Sequence, residues 1–298
     1  MSAIIETTET TGEQSYLNIL AHLIQHGERR PTRNAVTLST FGANLSFDIR
    51  NSFPLLTTKK VFWTGVLREL LWFISGQTDA TILAKNGVHI WDGNSSREFL
   101  DKSGLSHYLV GQCGPIYGYQ WRHFNAPYST NETTPTGGVD QLQNCIDLIR
   151  KDPTSRRIFM SAWNPCQLSE MCLPPCHVSY QFYVNMDDEL SCILYQRSGD
   201  MFLGVPFNIA STAFLVNIIA HMTGKKPGMV KLCIGDAHVY EEHVEAVQRQ
   251  LSRDPNMYRP PTLKILCEPR EKIEDYVFED FEIVGYESYP GIKAAMIA

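Results

Sequence analysis

Apolar residues recur at helical spacing in several segments of the chain. Within residues 16–26 they fall at Leu17, Leu20 and Ile24, and Gly27 follows, which is typical of an α-helix and its end. Residues 61–75 are apolar over most of a helix circumference, which predicts a buried helix that encloses Glu69. Further helices are predicted over residues 139–150, 208–223 and 241–251.

Alternating apolar and polar residues predict the strands. Residues 177–185 and 190–197 alternate on either side of a short polar turn, which predicts a β-hairpin. Further strands are predicted over residues 37–49, 157–163, 230–234, 262–266 and 281–286. Because helices and strands interleave throughout, the pattern predicts one mixed α/β domain of the α+β type over residues 15–298.

Two polar segments interrupt this pattern. Residues 1–14 are predicted to form a flexible N-terminal tail. Residues 125–138 are rich in turn formers, but core-like segments flank them closely, so a surface loop is predicted and not a linker between domains.

Composition excludes several classes of protein. The chain has 298 residues, 43% hydrophobic and 19% charged, which argues against a disordered chain, a collagen or a coiled coil. Its net charge of −6 argues against a constitutive nucleic-acid binder, although a few arginines in a cleft can still bind an anion. We find no long apolar span and no leader-like segment, so we expect a cytoplasmic protein whose eight cysteines are free thiols.

Cys176 is a candidate nucleophile. Two prolines precede it and force an extended approach to the following strand, where a thiol can face a cavity. The alternative is a buried structural cysteine. A zinc site built from Cys166, Cys172, Cys176 and His177 is disfavoured because no CxxC pair is present.

Three arginines at predicted strand ends favour an anion site. Arg156 and Arg157 open one strand, and Arg197 with Ser198 closes the hairpin. A planar guanidinium suits phosphate or carboxylate, whereas the alternative for each arginine is a solvated strand end. Cations near Cys176 are expected to lower the pKa of its thiol.

Four other polar residues are candidates for ligand contact. Asn208 either caps the helix that follows or reads a pyrimidine edge. His238 and Tyr240 alternate, so they share a face and could bind a sugar hydroxyl. Glu69 is either a satisfied core carboxylate or a proton-transfer group with a raised pKa. These residues do not name a reaction, and a Cys-His hydrolase or a ligand-binding protein without catalysis stays open.

Longer motifs carry a resemblance to a known family. The segments FPLLTTKKVFW, RELLWFISG, GPIYGYQWRHF, DPTSRRIFMSAWNP, PPCH, LYQRSGDMFLGVPFNIAS and GDAHVYEEH resemble the folate-dependent thymidylate synthases, in family order. The resemblance implies a large mixed β-sheet flanked by helices, with one sheet face used for homodimerisation. It also implies reductive methylation of dUMP to dTMP, with 5,10-methylenetetrahydrofolate as the donor of carbon and hydride and no metal.

The resemblance implies a role for each residue of the dUMP site. Cys176 is the nucleophile, Glu69 organises the proton transfers, Tyr117 assists proton removal at C5, and Asn208 holds the uracil edge. The remaining dUMP ligands would be Arg33, Arg197 and Ser198 at the phosphate, His238 and Tyr240 at the sugar, and Arg156 and Arg157 from the partner subunit.

A second set of residues would bind the folate. Asp200 would hold the pterin, and the C-terminal tail ending at Ala298 would close over it. The walls of this site would be Ile90, Trp91, Asn94, Leu203, Gly204 and Phe207.

Two segments depart from the family pattern. The family's glycine-rich phosphate loop reads Thr32-Arg33-Asn34-Ala35-Val36 here, which predicts a stiffer loop. The family's Gly-Asp-Leu-Gly-Pro reads Gly111-Gln112-Cys113-Gly114-Pro115, which predicts the loss of a carboxylate near the site. Two rivals therefore stay open: a dUMP hydroxymethylase of the same fold, and a catalytically silent relative that binds nucleotide or RNA.

Overall fold

The computed structural model describes residues 12–130 and 135–297. The helices are α1 (Glu13–His26), α2 (Trp63–Ile74), α3 (Thr81–Lys85), α4 (Arg97–Lys102), α5 (Tyr117–His123), α6 (Gln141–Lys151), α7 (Gly204–Thr223) and α8 (Val244–Leu251). The strands are β1 (Glu28–Pro31), β2 (Val36–Asp48), β3 (Phe159–Ser161), β4 (His177–Val184), β5 (Glu189–Asp200), β6 (Lys226–Tyr240), β7 (Thr262–Ile265) and β8 (Phe281–Val284).

Six strands form one mixed sheet in the order β1-β2-β6-β5-β4-β3. Strands β5 and β6 are parallel, and every other neighbouring pair is antiparallel. In the parallel pair Ser198 aligns with Asp236, and Asp200 aligns with His238. The predicted large mixed sheet is therefore confirmed, and β7 and β8 form a separate two-stranded sheet.

Helix α7 fills the core between this sheet and α2. It is buried over most of its surface, and Gly224 ends it with φ 68°, a left-handed conformation that glycine adopts at little cost. By length and hydropathy alone α7 could span a membrane, but 78% of its apolar window is buried inside the fold. Its apolar character is thus accounted for by core packing.

Helix α1 is tied to the segment that leads into α2. The Glu13 carboxylate accepts hydrogen bonds from the backbone N–H and the hydroxyl of both Thr57 and Thr58, at 2.6–2.9 Å. Glu13 and Gln14 are thus helical, although they fall in the predicted flexible tail, whose residues 1–11 lie outside the described part of the chain.

The main predicted elements are present, but the ends of some of them differ from the predicted ends. Helix α7 begins at Gly204, before the predicted start, because Pro206 lies in the first turn, where no intrahelical N–H bond is lost. Strand β6 extends over fifteen residues, well beyond the predicted 230–234, because it pairs with β2 on one side and β5 on the other. The strand therefore continues through Gly235 to Tyr240.

Short elements were the hardest to predict. Strand β1 and helices α3, α4 and α5 were not predicted, and β3 has only three residues of the predicted 157–163. In the predicted loop 125–138, the described residues form neither helix nor strand, and a bridge between Phe124 and Val139 brings its two ends together.

Candidate active site

Two adjoining cavities open where β5 and β6 end. The first has a volume of about 230 Å³ and is lined by Glu69, Phe73, Ile90, Trp91, Asn94, Tyr117, Leu173, Cys176, His177, Gln196, Ser198, Asp200, Gly204 and Asn208. The second has about 250 Å³ and is lined by Arg33, Asn34, Asn94, Leu173, Cys176, Arg197, Ser198, Asp200, His238, Tyr240, Met296 and Ile297. Since they share Asn94, Leu173, Cys176, Ser198 and Asp200, they form one cleft with the thiol at the junction.

The backbone of Cys176 is held on both sides. Its N–H donates to the Tyr117 hydroxyl oxygen at 2.8 Å, and its carbonyl accepts from the Arg197 backbone N–H at 2.9 Å. The Arg197 guanidinium also donates to the carbonyls of Pro175 at 2.9 Å and Pro174 at 2.8 Å. Arg197 therefore fixes the stiff approach to the thiol and still lines the second cavity.

The Cys176 thiol has a raised pKa in this ligand-free cleft. Burial raises the pKa most, while the Arg197 charge and a hydrogen bond with Tyr117 lower it. The Arg197 charge thus lowers the pKa as predicted, but burial outweighs it and the net shift is upward.

Glu69 lies on α2 at the apolar end of the first cavity. Burial raises the pKa of this carboxyl from its usual 4.5 to about 7, although the Trp91 indole N–H donates to it at 2.7 Å and works in the opposite direction. A carboxyl with a pKa near neutrality can accept and release a proton at physiological pH. Of the two predicted readings, the raised pKa favours the proton-transfer group.

The Asn208 amide is oriented by its neighbours. Gln196 donates from one amide nitrogen to Asn208 Oδ1 at 3.0 Å and to the Ser198 carbonyl at 2.9 Å. His177 also hydrogen-bonds Asn208, and burial lowers the pKa of its imidazole to about 4, so the ring is neutral. The Gln196 Oε1 atom is buried and has no partner among the described residues.

This arrangement speaks against a Cys-His pair. The His177 ring is engaged by Asn208 and, through Nδ1, by the Tyr180 hydroxyl at 3.3 Å. A general base next to a thiol would need an imidazole free to take its proton. His177 instead orients the amide of Asn208.

At the opposite end of the cleft, His238 is oriented by a carboxylate. Asp236 lies 3.0 Å from His238 Nδ1 and accepts from Arg30 at 3.0 Å. The hydrogen bond with His238 is the largest cause that lowers the pKa of Asp236. The rings of His238 and Tyr240 are 5.3 Å apart, as their shared strand face predicts, and both line the second cavity.

The altered loop still reaches this end of the cleft. Thr32 closes it without glycine, because its hydroxyl donates to the Ala35 carbonyl at 2.6 Å and its backbone N–H does so at 3.1 Å. Arg33 and Asn34 at the tip line the second cavity, and Asn34 hydrogen-bonds the Tyr240 hydroxyl. The loss of both glycines therefore leaves Arg33 within the site.

The second departure lies away from the cleft. The Gln112 side chain accepts from the Leu109 N–H at 2.7 Å and lines neither cavity. Cys113 is fully buried beside Cys172, whose N–H donates to the Cys113 carbonyl at 3.0 Å. The lost carboxylate thus leaves no gap in the lining of either cavity.

Four predicted residues in the described part of the chain do not line the cleft. Arg156 is exposed, and Arg157 lines a separate depression with Val139 and Phe159. Leu203 and Phe207 are half-buried and pack against the core beside the cleft. Ala298 lies outside the described residues.

Several lining residues were not predicted. The described residues that complete the cleft are Asn34, Phe73, Leu173, His177, Gln196, Met296 and Ile297. His177 and Gln196 adjoin predicted residues, so adjacency was their only sequence signal. Among the described residues no group of three His, Cys, Asp or Glu side chains could hold a metal ion.

Known proteins resemble this chain over nearly all of its length. A family model described as thymidylate synthase matches residues 14–298. The thymidylate synthase of Homo sapiens is 53% identical over 287 residues, which cover 96% of this chain and 90% of that protein. The enzyme of Candida albicans is 50% identical over 96% of this chain and 98% of its own length. That of Equine herpesvirus 2 is 51% identical over 95% and 98%.

The raised pKa of Glu69 predicts a pH-dependent cost in stability. Between pH 4.5 and about 7 the unfolded chain releases this proton while the folded chain retains it, so stability falls as the pH rises through that window. Glu69→Gln cannot ionise and still accepts from Trp91. It should raise the free energy of unfolding at pH 8 by up to about 3 kcal/mol, and by little at pH 4.5.

Urea unfolding at both pH values measures this difference. Glu271→Gln removes an exposed carboxylate and serves as the control, with no pH-dependent gain expected. An equal effect of Glu69→Gln at pH 4.5 and pH 8 would show that burial does not raise this pKa.

Proposed function

This chain belongs to the thymidylate synthase family, and we propose that its cleft performs the reaction of that family with the residues described above. The reaction is the reductive methylation of dUMP to dTMP, in which 5,10-methylenetetrahydrofolate supplies the carbon and the hydride and becomes dihydrofolate. The assignment of residues rests on the position of Cys176 between two cavities. One cavity contains the Glu69 carboxyl and aromatic rings, and the other contains arginines.

The second cavity suits the phosphate and sugar of dUMP. Arg33, Arg197 and Ser198 offer charged and neutral donors to the dianion. His238 and Tyr240 lie on the same wall, and Asp236 fixes the orientation of the His238 ring for a sugar hydroxyl. A few local cations thereby attract an anion to a protein whose net charge is −6.

The Asn208 amide suits uracil. Its Oδ1 already accepts from Gln196, which directs the Nδ2 donors away from that bond and toward other acceptors. The O4 atom of uracil is such an acceptor, whereas cytosine carries an amino donor at that position. Asn208 therefore favours dUMP over dCMP.

The thiolate of Cys176 would add to C6 of the uracil. This forms a C–S bond and moves the electron pair of the ring double bond to C5 and O4, which makes C5 nucleophilic. Glu69, with a pKa of about 7, would exchange protons with O4 of the uracil. Tyr117 would assist removal of the proton at C5 of the uracil. Departure of the cysteine at the end regenerates the thiolate.

The first cavity suits the folate. Ile90 and Trp91 provide an apolar wall for a flat ring, and Asp200 provides a carboxylate for the pterin nitrogens. Asp200 Oδ1 also accepts from the N–H groups of Phe202 and Leu203, which fixes its position. Leu203, Gly204, Phe207, Asn94 and the tail to Ala298 would complete this site.

A homodimer would complete the phosphate site. Ile193 and Tyr195 of β5 and Tyr183 of β4 project from the sheet face opposite α7 and are 43%, 44% and 67% exposed. An exposed sheet face that carries large apolar side chains of this kind suits a second copy of the chain. Arg156 and Arg157 lie away from their own cleft and would serve that of the partner subunit.

The residues of the cleft argue against both rival functions, and the cysteines bear on the cellular location. A dUMP hydroxymethylase would admit water to finish the reaction, whereas Trp91, Met296 and Ile297 enclose the cleft. A silent nucleotide- or RNA-binding relative would need no thiol at the junction of two cavities. All eight cysteines are free thiols, which fits the reducing cytoplasm.

Turnover tests the proposed function. The protein incubated with dUMP and methylenetetrahydrofolate should form dihydrofolate, and the mass of the nucleotide product should be that of dTMP and not of the hydroxymethyl nucleotide. Cys176→Ser should abolish turnover and retain dUMP binding, because a hydroxyl supplies almost no nucleophilic anion near neutral pH. Cys166→Ser, at an exposed position, is the matched control and should be active. Turnover of Cys176→Ser within about tenfold of the parent would identify another nucleophile.

Subunit exchange tests the dimer. Arg157→Ala and Cys176→Ser should each be inactive, and a mixture should recover activity after exchange of subunits. The mixed dimer then holds one site with both defects and one with neither. If exchange is verified independently and activity does not return, Arg157 does not serve the partner's site.

Arg33→Ala tests the altered loop. It should raise the KM for dUMP about 10-fold, near the low end for one charge-assisted hydrogen bond, because the other arginines compensate in part. Arg29→Ala is the control, since Arg29 lies on β1 just before the loop and pairs with Glu241 at the surface. Unchanged KM and kcat in Arg33→Ala would show that the loop does not bind the phosphate.

A further inference from the structure

The C-terminal segment is attached to the fold at successive points. The Tyr289 N–H donates to the Thr57 carbonyl at 2.8 Å, and Arg253 donates to the Pro290 carbonyl at 2.8 Å. Ile292 is only 8% exposed and belongs to the core. Beyond it the chain continues to Met296 and Ile297, which line the second cavity near Cys176.

His243 makes the last of these attachments in the described part of the chain. Its Nε2 atom lies 2.9 Å from the Ala295 carbonyl oxygen. A carbonyl can only accept, so the imidazole must carry its hydrogen on Nε2 and donate. Within residues 12–130 and 135–297, no more C-terminal backbone group bonds to the rest of the fold.

The imidazole of His243 is itself held in place. It is 2% exposed, and its ring centroid lies 5.7 Å from those of both Phe202 and Tyr240. Phe202 follows the turn that Asp200 caps, and Tyr240 lines the second cavity. Because the His243 donor is fixed between Phe202 and Tyr240, it can hold the tail at a defined position relative to both.

We propose that His243 is a positioning residue, which holds the tail through the Ala295 carbonyl so that Met296 and Ile297 close the second cavity. The proposal rests on the function proposed above and adds a residue to it. Ile292 and the half-buried Ala294 pack against the core, but among the described residues no hydrogen bond holds the backbone after Pro290 until that of His243. The partly buried hydrogen bond from His243 restricts the backbone there, next to the residues that would shield the cleft from water.

Two substitutions of His243 separate its donor from its bulk. His243→Leu keeps an apolar side chain between Phe202 and Tyr240 but removes the donor. His243→Gln places an amide N–H near the position of imidazole Nε2 and should restore the bond. His221→Leu is the matched control, because it removes a 2.7 Å hydrogen bond to Tyr276 that is not part of the cleft.

Three measurements are made on each full-length variant: kcat/KM for methylenetetrahydrofolate, the Kd of dUMP without folate, and the rate at which carboxypeptidase releases the tail residues. For His243→Leu we expect kcat/KM to fall about 3- to 10-fold and tail release to accelerate by a similar factor, as for the loss of one hydrogen bond. The Kd of dUMP without folate should change less than about twofold, because the polar contacts to the nucleotide would come from the arginines, Ser198, His238 and Tyr240 and not from the apolar Met296 and Ile297. His243→Gln should recover most of both losses, and His221→Leu should leave tail release unchanged.

The proposal is overturned if His243→Leu and His243→Gln lose activity equally, if tail release is unchanged in His243→Leu, or if dUMP binding weakens as much as kcat/KM. The digestion does not depend on turnover. If the parent protein forms no dTMP, the proposed function fails, while the digestion still decides whether His243 holds the tail.

Discussion

The register of strand β5 is the constraint on which the cleft depends. This strand pairs with β4 on one side and with β6 on the other, antiparallel and parallel respectively. Its last residues therefore lie beside Cys176 at one edge and beside His238 at the other. Side chains alternate between the two faces of a sheet. A slip of one residue would therefore turn each side chain of β5, Arg197 and Ser198 included, to the face opposite its present one. The burial of α7 against the same sheet fixes that register, because only one alternation places apolar residues against the helix.

Burial of the polar residues at the end of β5 costs desolvation free energy, and hydrogen bonds with neighbouring groups offset this cost. Arg197 donates to the carbonyls of Pro174 and Pro175, and Asp200 accepts from two N–H groups of the turn before α7. Gln196 satisfies its donors but leaves Oε1 buried without a partner among the described residues. A buried acceptor of this kind costs about 1–3 kcal/mol, which a fold tolerates most readily at a binding site.

The two cavities of the cleft differ in their electrostatic surroundings. Around Glu69 the lining includes the aromatic rings of Phe73, Trp91 and Tyr117, and burial of the carboxyl favours its neutral form and raises its pKa to about 7. Around Arg33 and Arg197 the lining is cationic. Cys176 lies between them, where burial raises the pKa of its thiol and the Arg197 charge lowers it.

The sequence by itself determined the main helices and strands of the core and the chemical types in the cleft. Their apolar spacing is long and regular, and residues such as Cys176, Glu69 and Asn208 stand in extended motifs. The tertiary structure decided what depends on distant segments: the length of β6, the neutral state of His177, the place of Arg33 without its glycines, and the bond from His243 to the tail. It also decided that burial outweighs the predicted effect of nearby cations on the Cys176 pKa. Desolvation and hydrogen bonding arise from groups far apart in the chain, and the local pattern of residues does not contain them.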